Sequence, residues 1–309
     1  MTSVPAPYIV LHDEVATALA EGRAVVALET TIVVHGLPTP INLEVGAQCE
    51  SVVRAAGAVP ATIGVMGGSL RVGMDPSELA RLAEPGRGSA KLSTRDLGFA
   101  VATRVDGATT VAGTIAVAHY AGIAVMATGG LGGVHRGAHE TFDESADLTA
   151  LSRTPVVVVA SGVKSILDIG ATLERLDSLG VPIAGYRTGR FPGFYLHDSG
   201  FDLDWRVESP EVAAASFAAH RHWSKTGMLV ANPIDEPRQL DARLHDEALA
   251  AALAYATSSG ARGKDVTPVV LAEFARCTAG ASVQVNRDLV VSNATVAAQI
   301  AVALAALDA

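Results

Sequence analysis

Six short runs of β-branched and other apolar residues recur along the chain without the polar alternation that a one-sided sheet requires. These runs are AVVALETTIV, VPATIGVM, IAVMAT, PVVVVAS, VPIAGYRT and GMLVAN, and helix-like segments rich in alanine and leucine follow them. Continuous apolar strands suit a sheet that is covered on both faces, because neither face then meets water. The pattern therefore predicts an α/β fold, a three-layer α/β/α sandwich around a central mainly parallel or mixed sheet.

The segments between these runs have the composition of helices. We expect helices over residues 42–56, 77–84, 109–121, 165–179, 210–225, 242–259, 267–279 and 288–307. Asn293 directly precedes the apolar run of the last helix, which favours a capping role for its side chain. The length of 309 residues is compatible with two domains, but no linker rich in proline, glycine or serine divides the chain. We therefore predict a single domain over residues 1–309.

The charge and the cysteine content of the chain argue against several classes of protein, including nucleic-acid-binding and disulfide-rich proteins. Lysine and arginine total 23 against 32 aspartates and glutamates, a formal net charge of -9, which argues against nucleic acid as a partner. The two cysteines, Cys49 and Cys277, lie far apart and form no CxxC pair, so the sequence indicates neither a zinc site nor a disulfide framework. These features favour a cytoplasmic protein.

The sequence gives little indication of a membrane role. The first residues carry no basic leader of the kind that secretory signals have. Residues 107–134 contain no charged side chain and are long enough to span a bilayer, but glycines interrupt the stretch repeatedly. We interpret it as helix, strand and glycine loop in a soluble core, and we expect no membrane partner.

Ligands of open α/β sheets gather beyond the carboxyl ends of the strands, where helix amino termini present free N–H groups. Three polar motifs follow predicted strands closely: Glu29 with two threonines, the glycine loop 128–133, and the segment 161–164 that ends in Lys164. The sequence therefore places its candidate site at this edge of the sheet.

Lys164 follows a strand that must be buried, and the chain has only four lysines. Burial lowers the pKa of an amine and makes the neutral nucleophile available, so such a lysine can form an imine with a carbonyl. The alternative is a lysine at the start of a helix that reaches solvent or pairs with Asp168 four residues later.

Glu29 lies among apolar and hydroxylic residues in AVVALETTIV. A partly buried carboxyl group has a raised pKa, which suits it to donate a proton near neutral pH. A structural glutamate, held by Thr30, Thr31 or a nearby backbone amide, is the other interpretation.

The segment ATGGLGGVHRGAHETFDESADL concentrates glycines, histidines and carboxylates. Glycines let backbone N–H groups approach a phosphate or a base, and Asp143, Glu144 and Asp147 are oxygen ligands of the kind that Mg²⁺ or Mn²⁺ prefers. Lys91 in KLSTRDL suits a phosphate, and the amide of Asn286 suits a heterocycle, although both also fit ordinary surface or capping roles. No Walker loop, GxSxG, HExxH or GxGxxG motif is present.

These motifs together resemble a known family. ALETTIVVHGLPTPIN, GAVPATIGVMGG, KLSTRDL, the long segment from GATTVAGT to DESADL, ASGVKSILDIG and VANPI occur in an order similar to that of the pseudouridine-5′-phosphate glycosidases, also called pseudouridylate synthases. The resemblance covers about residues 10 to 305. Departures are few: Thr30, Gly193 and Ser292 replace a more frequent serine, alanine and asparagine.

The resemblance implies an enzyme that reversibly cleaves the C–C glycosidic bond of pseudouridine 5′-phosphate into uracil and ribose 5-phosphate during nucleotide catabolism. Carried onto this chain, Glu29 protonates the ring oxygen as the sugar opens, and Lys164 attacks C1′ to form a Schiff base. The C–C bond then breaks with formation of the cationic imine at C1′, which explains the need for a lysine.

The remaining site residues follow from the same resemblance. Asp143 is expected to hold a divalent metal, Mn²⁺ or another cation such as Mg²⁺, largely through water. Substrate contacts fall on Lys91, Val111, His135, Ser145, Ala146, Asp147 and Asn286. The family is trimeric, so we also expect a homotrimer.

Two other functions remain open at this point. One is a different Schiff-base enzyme on a phosphosugar, such as an aldolase-type lyase, which would act on sugar phosphates without a base. The other is a non-catalytic nucleotide-binding module, which would bind the nucleotide without consuming it.

Overall fold

The computed structural model describes residues 8–260 and 266–308. The predicted domain 1–309 therefore includes short segments that lie outside the described residues. The strands, numbered along the chain, are β1 (Ile9–Leu11), β2 (Val25–Glu29), β3 (Val59–Met66), β4 (Ser69–Val72), β5 (Ala90–Leu92), β6 (Gly107–Thr109), β7 (Val125–Ala127), β8 (Val134–His135), β9 (Val157–Ala160), β10 (Leu167–Asp168), β11 (Ile183–Tyr186), β12 (Arg206–Val207) and β13 (Met228–Ala231).

The helices alternate with these strands for most of the chain. They are α1 (Asp13–Ala20), α2 (Ile41–Ala55), α3 (Pro76–Leu82), α4 (Leu97–Thr103), α5 (Val111–Ala121), α6 (Ala138–Thr141), α7 (Ala146–Leu151), α8 (Ile169–Ser178), α9 (Pro210–His220), α10 (Ala242–Ser259), α11 (Val266–Cys277) and α12 (Ala281–Asp308). A π-helical turn at Ile32–Gly36 and short 3₁₀ turns at Thr94–Asp96 and Glu236–Arg238 complete the elements.

The strands form one mixed, mainly parallel sheet of 11 strands in the order β1-β4-β3-β2-β7-β9-β13-β11-β12, with β6 pairing β3 and β5. All neighbours from β3 to β12 along this order are parallel, whereas β3 pairs antiparallel with β4 and β6. A separate antiparallel pair joins β8 and β10. The predicted mixed or mainly parallel sheet is confirmed.

Helices cover both faces of the sheet. α12 packs along β2, β7 and β9 and also contacts α2 and α9, while α5 packs on β2 and β3 and contacts α7. Every residue of β9 is fully buried, as expected for a strand between two helical layers. The three-layer α/β/α architecture predicted from the apolar runs is confirmed.

The uncharged stretch 107–134 lies inside this fold. It contains β6, α5 and β7 and ends at the start of β8, as the soluble-core interpretation predicted. Among the described residues, α12 is the helix that is long and apolar enough to cross a membrane, and 56% of its most apolar window is buried inside the protein. Core helices of globular proteins have the same properties.

Several predicted boundaries differ from the structure: the helix expected over 165–179 begins at Ile169, and the one expected over 210–225 ends at His220. Two further differences have a clear physical reason. α12 begins at Ala281 rather than near residue 288, since Ala279 and Gly280 adopt positive φ angles of 49° and 84° that end α11 just before it. Asn293 is therefore not a cap: it lies inside α12 and is fully buried. The run AVVALETTIV is a strand only as far as Glu29, after which the backbone turns into the π-helical segment.

Candidate active site

Two neighbouring cavities lie at the carboxyl edge of the sheet and share Glu29, Thr31, Lys91 and Lys164. The remaining lining of the first cavity is largely apolar or glycine: Ile32, His35, Gly36, Thr128, Gly129, Gly130, Phe194, Pro268, Leu271 and Asn286. The remaining lining of the second is mostly polar: Ser93, Arg95, Thr110, Val111, Gly132, His135, Asp143, Glu144, Ser145, Ala146, Asp147 and Leu167. A ligand with an apolar and an anionic end fits such a pair.

All of the site residues proposed from the sequence line one or both of these cavities. Glu29 and Lys164 line both, Asn286 lines the first, and Val111, His135, Asp143 and residues 145–147 line the second. The structure thus brings together residues that the chain separates by more than two hundred positions.

Glu29 is the last residue of β2, and its side chain is only 7% exposed. The Thr128 hydroxyl, just beyond β7, donates a hydrogen bond to its Oε1. Burial raises the pKa of Glu29, while the nearby Lys164 charge and the Thr128 hydrogen bond partly oppose that effect. Glu29 is therefore suited to hold a proton at a higher pH than an exposed glutamate does.

Lys164 lies in the loop after β9, partly buried, with its backbone N–H donating to the Leu131 carbonyl at 3.2 Å. Asp168, its potential partner in the surface interpretation, instead accepts from the Ala171 N–H at 2.9 Å and caps α8. A Cβ at Gly130 would lie 3.5 Å from the Lys164 Cγ and 2.7 Å from the Phe194 ring. The absence of a side chain at Gly130 therefore gives the Phe194 ring the space beside this loop.

Glycine is needed at positions 132 and 133 because neighbouring side chains approach the backbone closely there, and not because the backbone angles are unusual. A Cβ at Gly132 would lie 2.2 Å from the Ser145 hydroxyl, and one at Gly133 would lie 2.3 Å from the Thr172 hydroxyl. Any other residue at Gly132 would displace the wall of the second cavity, and one at Gly133 would displace Thr172, whose hydroxyl accepts from the Val134 N–H at 2.9 Å.

Asp147 links the glycine loop to the start of α5. Its Oδ1 accepts from the Ala112 N–H and its Oδ2 from the Gly132 N–H, both at 2.9 Å, and the side chain is 5% exposed. Both carboxylate oxygens are therefore already engaged by backbone donors. This arrangement makes Asp147 a support for the two backbone segments and a poor choice of metal ligand.

Asp143 is the carboxylate of this segment best placed to receive a cation. Its neighbour Glu144 pairs with Arg175 at 2.8 Å, and Asp147 is engaged as above. Within the described part of the chain no group of three or more histidine, cysteine, aspartate or glutamate side chains has the arrangement of a metal site. The residues do not fit an ion held by protein side chains alone, but they fit one that keeps most of its water.

His135 lies half-buried beside Asp143, with 4.0 Å between its Nδ1 and the Asp143 Oδ2. Burial is the main cause that lowers the pKa of His135, and the positive charges of Lys164 and Lys91 lower it further. The negative charge of Asp143 raises this pKa but does not outweigh the other effects. His135 is thus favoured as the neutral imidazole, a hydrogen-bonding group rather than a cation.

The second cavity also has the features of an anion site. Val111 is the first residue of α5, and its side chain is buried, so a ligand in this cavity would meet its backbone. Lys91 on β5, together with Ser93 and Arg95 just after it, adds two cations and a hydroxyl donor to the same cavity. Although two N–H groups of this helix amino terminus already donate within the protein, the two cations and the hydroxyl favour a phosphate group.

Asn286 projects from α12 into the first cavity and is 5% exposed. Its Oδ1 has no hydrogen-bond partner within residues 8–260 and 266–308. Because an unsatisfied buried acceptor is costly, a ligand with an N–H donor is the natural partner for this oxygen. The apolar walls around it suit a flat heterocycle.

Sequence reasoning did not single out Thr128 as the partner of Glu29 or Phe194 as a wall of the first cavity. Phe194 is 2% exposed and has a φ of 66°. Nothing in the sequence predicts a positive φ at a phenylalanine. Thr128 was included only as the first residue of the glycine loop. Thr128 directly follows β7, the buried strand that pairs with β2, and Glu29 ends β2. This position was the sequence signal that could have identified Thr128 as a site residue.

The chain is similar to several known proteins in sequence. A family model described as "Indigoidine synthase A like protein" matches residues 14–303. A protein of Salinispora tropica named pseudouridine-5′-phosphate glycosidase is 60% identical over 95% of this chain and 91% of its own length. A protein of Frankia alni with the same name is 53% identical over 97% of this chain and 83% of its own length.

Two solved structures share the fold. A prealnumycin C-glycosynthase in complex with ribulose 5-phosphate superimposes with a TM-score of 0.90, at 40% identity over 98% of this chain and 99% of that chain. An indigoidine synthase A-like protein of Thermotoga maritima gives a TM-score of 0.87 at 34% identity, over 96% of each chain.

Proposed function

The chain belongs to the indigoidine synthase A-like family and is an enzyme, and on this premise we propose that it cleaves pseudouridine 5′-phosphate into uracil and ribose 5-phosphate. The observation that carries the proposal is the meeting of Glu29 and Lys164 at the wall shared by an apolar and a polar cavity. One supplies a proton and the other a nucleophilic nitrogen, and the carbon between base and sugar phosphate would lie beside both.

The orientation of the substrate follows from the two linings. The uracil occupies the first cavity, where the Asn286 amide and the Phe194 ring lie. The phosphate occupies the second, near the amino terminus of α5 and Lys91. This orientation places the sugar at Glu29 and Lys164.

The reaction follows from the chemistry of these two groups. Glu29 donates its proton to the ribose ring oxygen as the C1′–O bond breaks, and the Lys164 amine forms a C–N single bond to C1′ and releases a proton. When the C1′–C5 bond breaks, its electron pair stays with uracil and C5 takes up a proton. The lone pair of the Lys164 nitrogen forms the C1′=N bond, so that the Schiff base appears in this step. Water then adds to the remaining imine and releases ribose 5-phosphate, returning the free amine of Lys164.

A divalent cation, Mn²⁺ or Mg²⁺, would be held by Asp143 through water and would screen the phosphate charge when bound. The protein side of this region then has two tasks. His135 offers an imidazole hydrogen bond beside Asp143, and Asp147 keeps the glycine loop and the start of α5 in place. Ser145 and Ala146, at the start of α7, complete the wall.

We also propose a cytoplasmic homotrimer. The carboxyl end of α12 supports an association surface, since Val302 is 38% and Leu307 56% exposed there. Exposed apolar side chains that cluster on one helix mark sites of contact between protein molecules.

The direct test is uracil release from pseudouridine 5′-phosphate, followed by ultraviolet absorbance, with a panel of base-free sugar phosphates alongside. Borohydride added during turnover should leave a ribose 5-phosphate adduct on the peptide that contains Lys164. Lys164→Ala should remove both uracil release and the adduct, whereas Lys225→Ala, which changes an exposed lysine, should retain both.

Three results would contradict the proposal. Cleavage of base-free sugar phosphates without uracil release would indicate an aldolase-type lyase. Binding of the nucleotide without turnover would indicate a non-catalytic module. An active Lys164→Ala enzyme would exclude the lysine imine.

A further inference from the structure

The fully buried Asn293 connects α12 to the carboxyl ends of three adjacent strands. Its Nδ2 donates to the carbonyl oxygens of Thr128 at 2.8 Å and Gly129 at 3.3 Å, beyond β7. Its Oδ1 accepts from the Asn232 amide, beyond β13, at 2.8 Å. The Ser161 hydroxyl, beyond β9, lies 3.1 Å from Nδ2 and 3.3 Å from Oδ1.

A helix interior is a poor place for such a side chain. Asparagine has a low helix propensity, and a buried amide is costly unless its polar atoms are satisfied. Ser161, Thr128 and Asn232 are themselves at most 6% exposed, so water does not compete for these bonds. The cluster is a satisfied polar network of the kind that fixes one arrangement of a core.

Two of the three strand ends lead directly to the reacting groups. Thr128, whose carbonyl Asn293 holds, donates its hydroxyl hydrogen bond to Glu29. Ser161 starts the loop that ends in Lys164, and this loop is joined to the glycine loop by hydrogen bonds from Ser161 N to Gly129 O at 2.9 Å and from Lys164 N to Leu131 O at 3.2 Å.

We propose that Asn293 is a positioning residue for the reaction, which sets the register between the glycine loop that holds Glu29 and the loop that carries Lys164. It acts through Thr128 and Ser161. This inference rests on the proposed function, because the two groups that it aligns are those to which the C–C cleavage is assigned.

The first experiment compares Asn293→Leu, which keeps the approximate volume and removes the amide, with the wild-type enzyme. Misplacement of catalytic groups by a fraction of an ångström to one ångström reduces turnover strongly, so we expect kcat to fall about 10-fold to 100-fold with KM changed much less. The matched control is Thr295→Val on the same helix, since among the described residues the Thr295 hydroxyl bonds to the Val291 carbonyl of α12, at 3.0 Å, and to no other group. Thr295→Val should keep wild-type kcat.

A pH profile distinguishes positioning from general destabilisation. The Thr128 hydrogen bond favours the charged form of Glu29, so its loss raises the pKa of Glu29 further. The alkaline limb of the kcat profile, along which Glu29 loses its proton, should then move to higher pH in Asn293→Leu. A lower kcat with an unmoved limb overturns the route through Thr128.

A double-mutant cycle with Thr128→Val tests that route again. If Asn293 acts through the Thr128 hydroxyl, Asn293→Leu reduces kcat less in the Thr128→Val background than in the wild type, whereas equal reductions overturn the proposal. Should Asn293→Leu not fold, Ser161→Ala removes one partner only, and wild-type kcat together with a wild-type pH profile in that variant overturns the proposal. A wild-type enzyme that releases no uracil refutes the proposed function instead, which keeps the two failures distinct.

Discussion

At the scale of single residues, the site depends on a carboxyl group kept away from water. Glu29 combines 7% exposure with a hydrogen bond from Thr128 and lies in the field of Lys164. Burial prevails over both opposing influences and raises its pKa. The same burial that makes Glu29 a proton donor also makes its charged form unfavourable for the folded state.

Glu29→Gln should reduce kcat about 10²-fold to 10⁴-fold, the usual contribution of a general acid, because the amide cannot transfer the proton. Steady-state uracil release measures the loss, and circular dichroism checks the fold. Activity within a factor of about two of wild type would exclude the proton-donor role.

The same substitution should change how stability depends on pH. Because the folded-state pKa of Glu29 is raised, the wild-type protein loses stability as pH rises from the unfolded pKa through the folded pKa. Glu29→Gln carries no proton to lose, so its stability relative to wild type should increase over that window and level off above it. Urea unfolding at a series of pH values measures the difference; a constant difference would contradict the burial effect.

Asp143 has a matched neighbour that makes its role testable. We expect a chelator to reduce uracil release, Mn²⁺ or Mg²⁺ to restore it, and Asp143→Asn to require about 10-fold more metal for half-restoration. Glu144→Gln alters a carboxylate that pairs with Arg175, so its metal requirement should equal that of wild type. Equal metal requirements in wild type and Asp143→Asn would argue against Asp143 as the ligand.

Much of this site could be predicted from the identity and order of its residues. Glu29 and Lys164 were predictable because each polar side chain directly follows an apolar run. The Glu29–Thr128 pair and the Asn293 cluster were not, since these contacts join residues 99 and 165 positions apart, and such separations depend on how strands are ordered in the sheet. The structural task of Asp147, which binds two backbone N–H groups, was equally hidden.

At the scale of elements, the start of α5 depends on a carboxylate from another helix. Asp147 at the start of α7 accepts from the Ala112 N–H and from the Gly132 N–H of the glycine loop. One side chain thus fixes the helix amino terminus and the loop that form the phosphate end of the proposed site. Local sequence patterns located both elements but not this link between them.

Asp147→Asn places an amide NH₂ opposite one of two backbone donors. The buried donor that loses its acceptor should lower the free energy of unfolding by about 1–3 kcal/mol, and the KM of the substrate should rise. Asp177→Asn, an exposed aspartate on α8, should leave both quantities unchanged. An Asp147→Asn protein as stable as wild type would contradict the supporting role.

Element boundaries show why the sequence predicted types better than ends. The apolar runs predicted the six strands β2, β3, β7, β9, β11 and β13, because burial on both faces gives a continuous apolar composition. They did not predict the shorter strands, such as β4 and β6. α12 was predicted seven residues too short at its start, since the polar residues Gln284, Asn286 and Arg287 interrupt the apolar pattern there. The incorrect assignment of Asn293 as a cap followed from the same misjudged start.

At the scale of the whole molecule, the proposed trimer is the first expectation to measure. Light scattering should give a mass of about 95 kDa, three times the 31.6 kDa of the chain. Leu307→Glu, at the exposed end of α12, should shift the mass toward that of the single chain. A wild-type mass near 31.6 kDa would exclude the trimer.

The prediction of one domain over residues 1–309 belongs to this scale too. It stays a prediction, and limited proteolysis measures it: a single resistant core is expected, whereas two stable fragments would indicate two domains.

The Asn293 cluster has one more consequence. Because the hydrogen bonds from α12 to Thr128 cross 165 residues of chain, the reacting groups come into line only when remote parts of the polypeptide have all folded. Folds dominated by such distant contacts assemble slowly. In a denaturant titration, catalytic activity should therefore be lost at the same denaturant concentration as the far-ultraviolet circular dichroism signal, and not at a lower one. Turnover then reports directly on the fraction of fully folded protein.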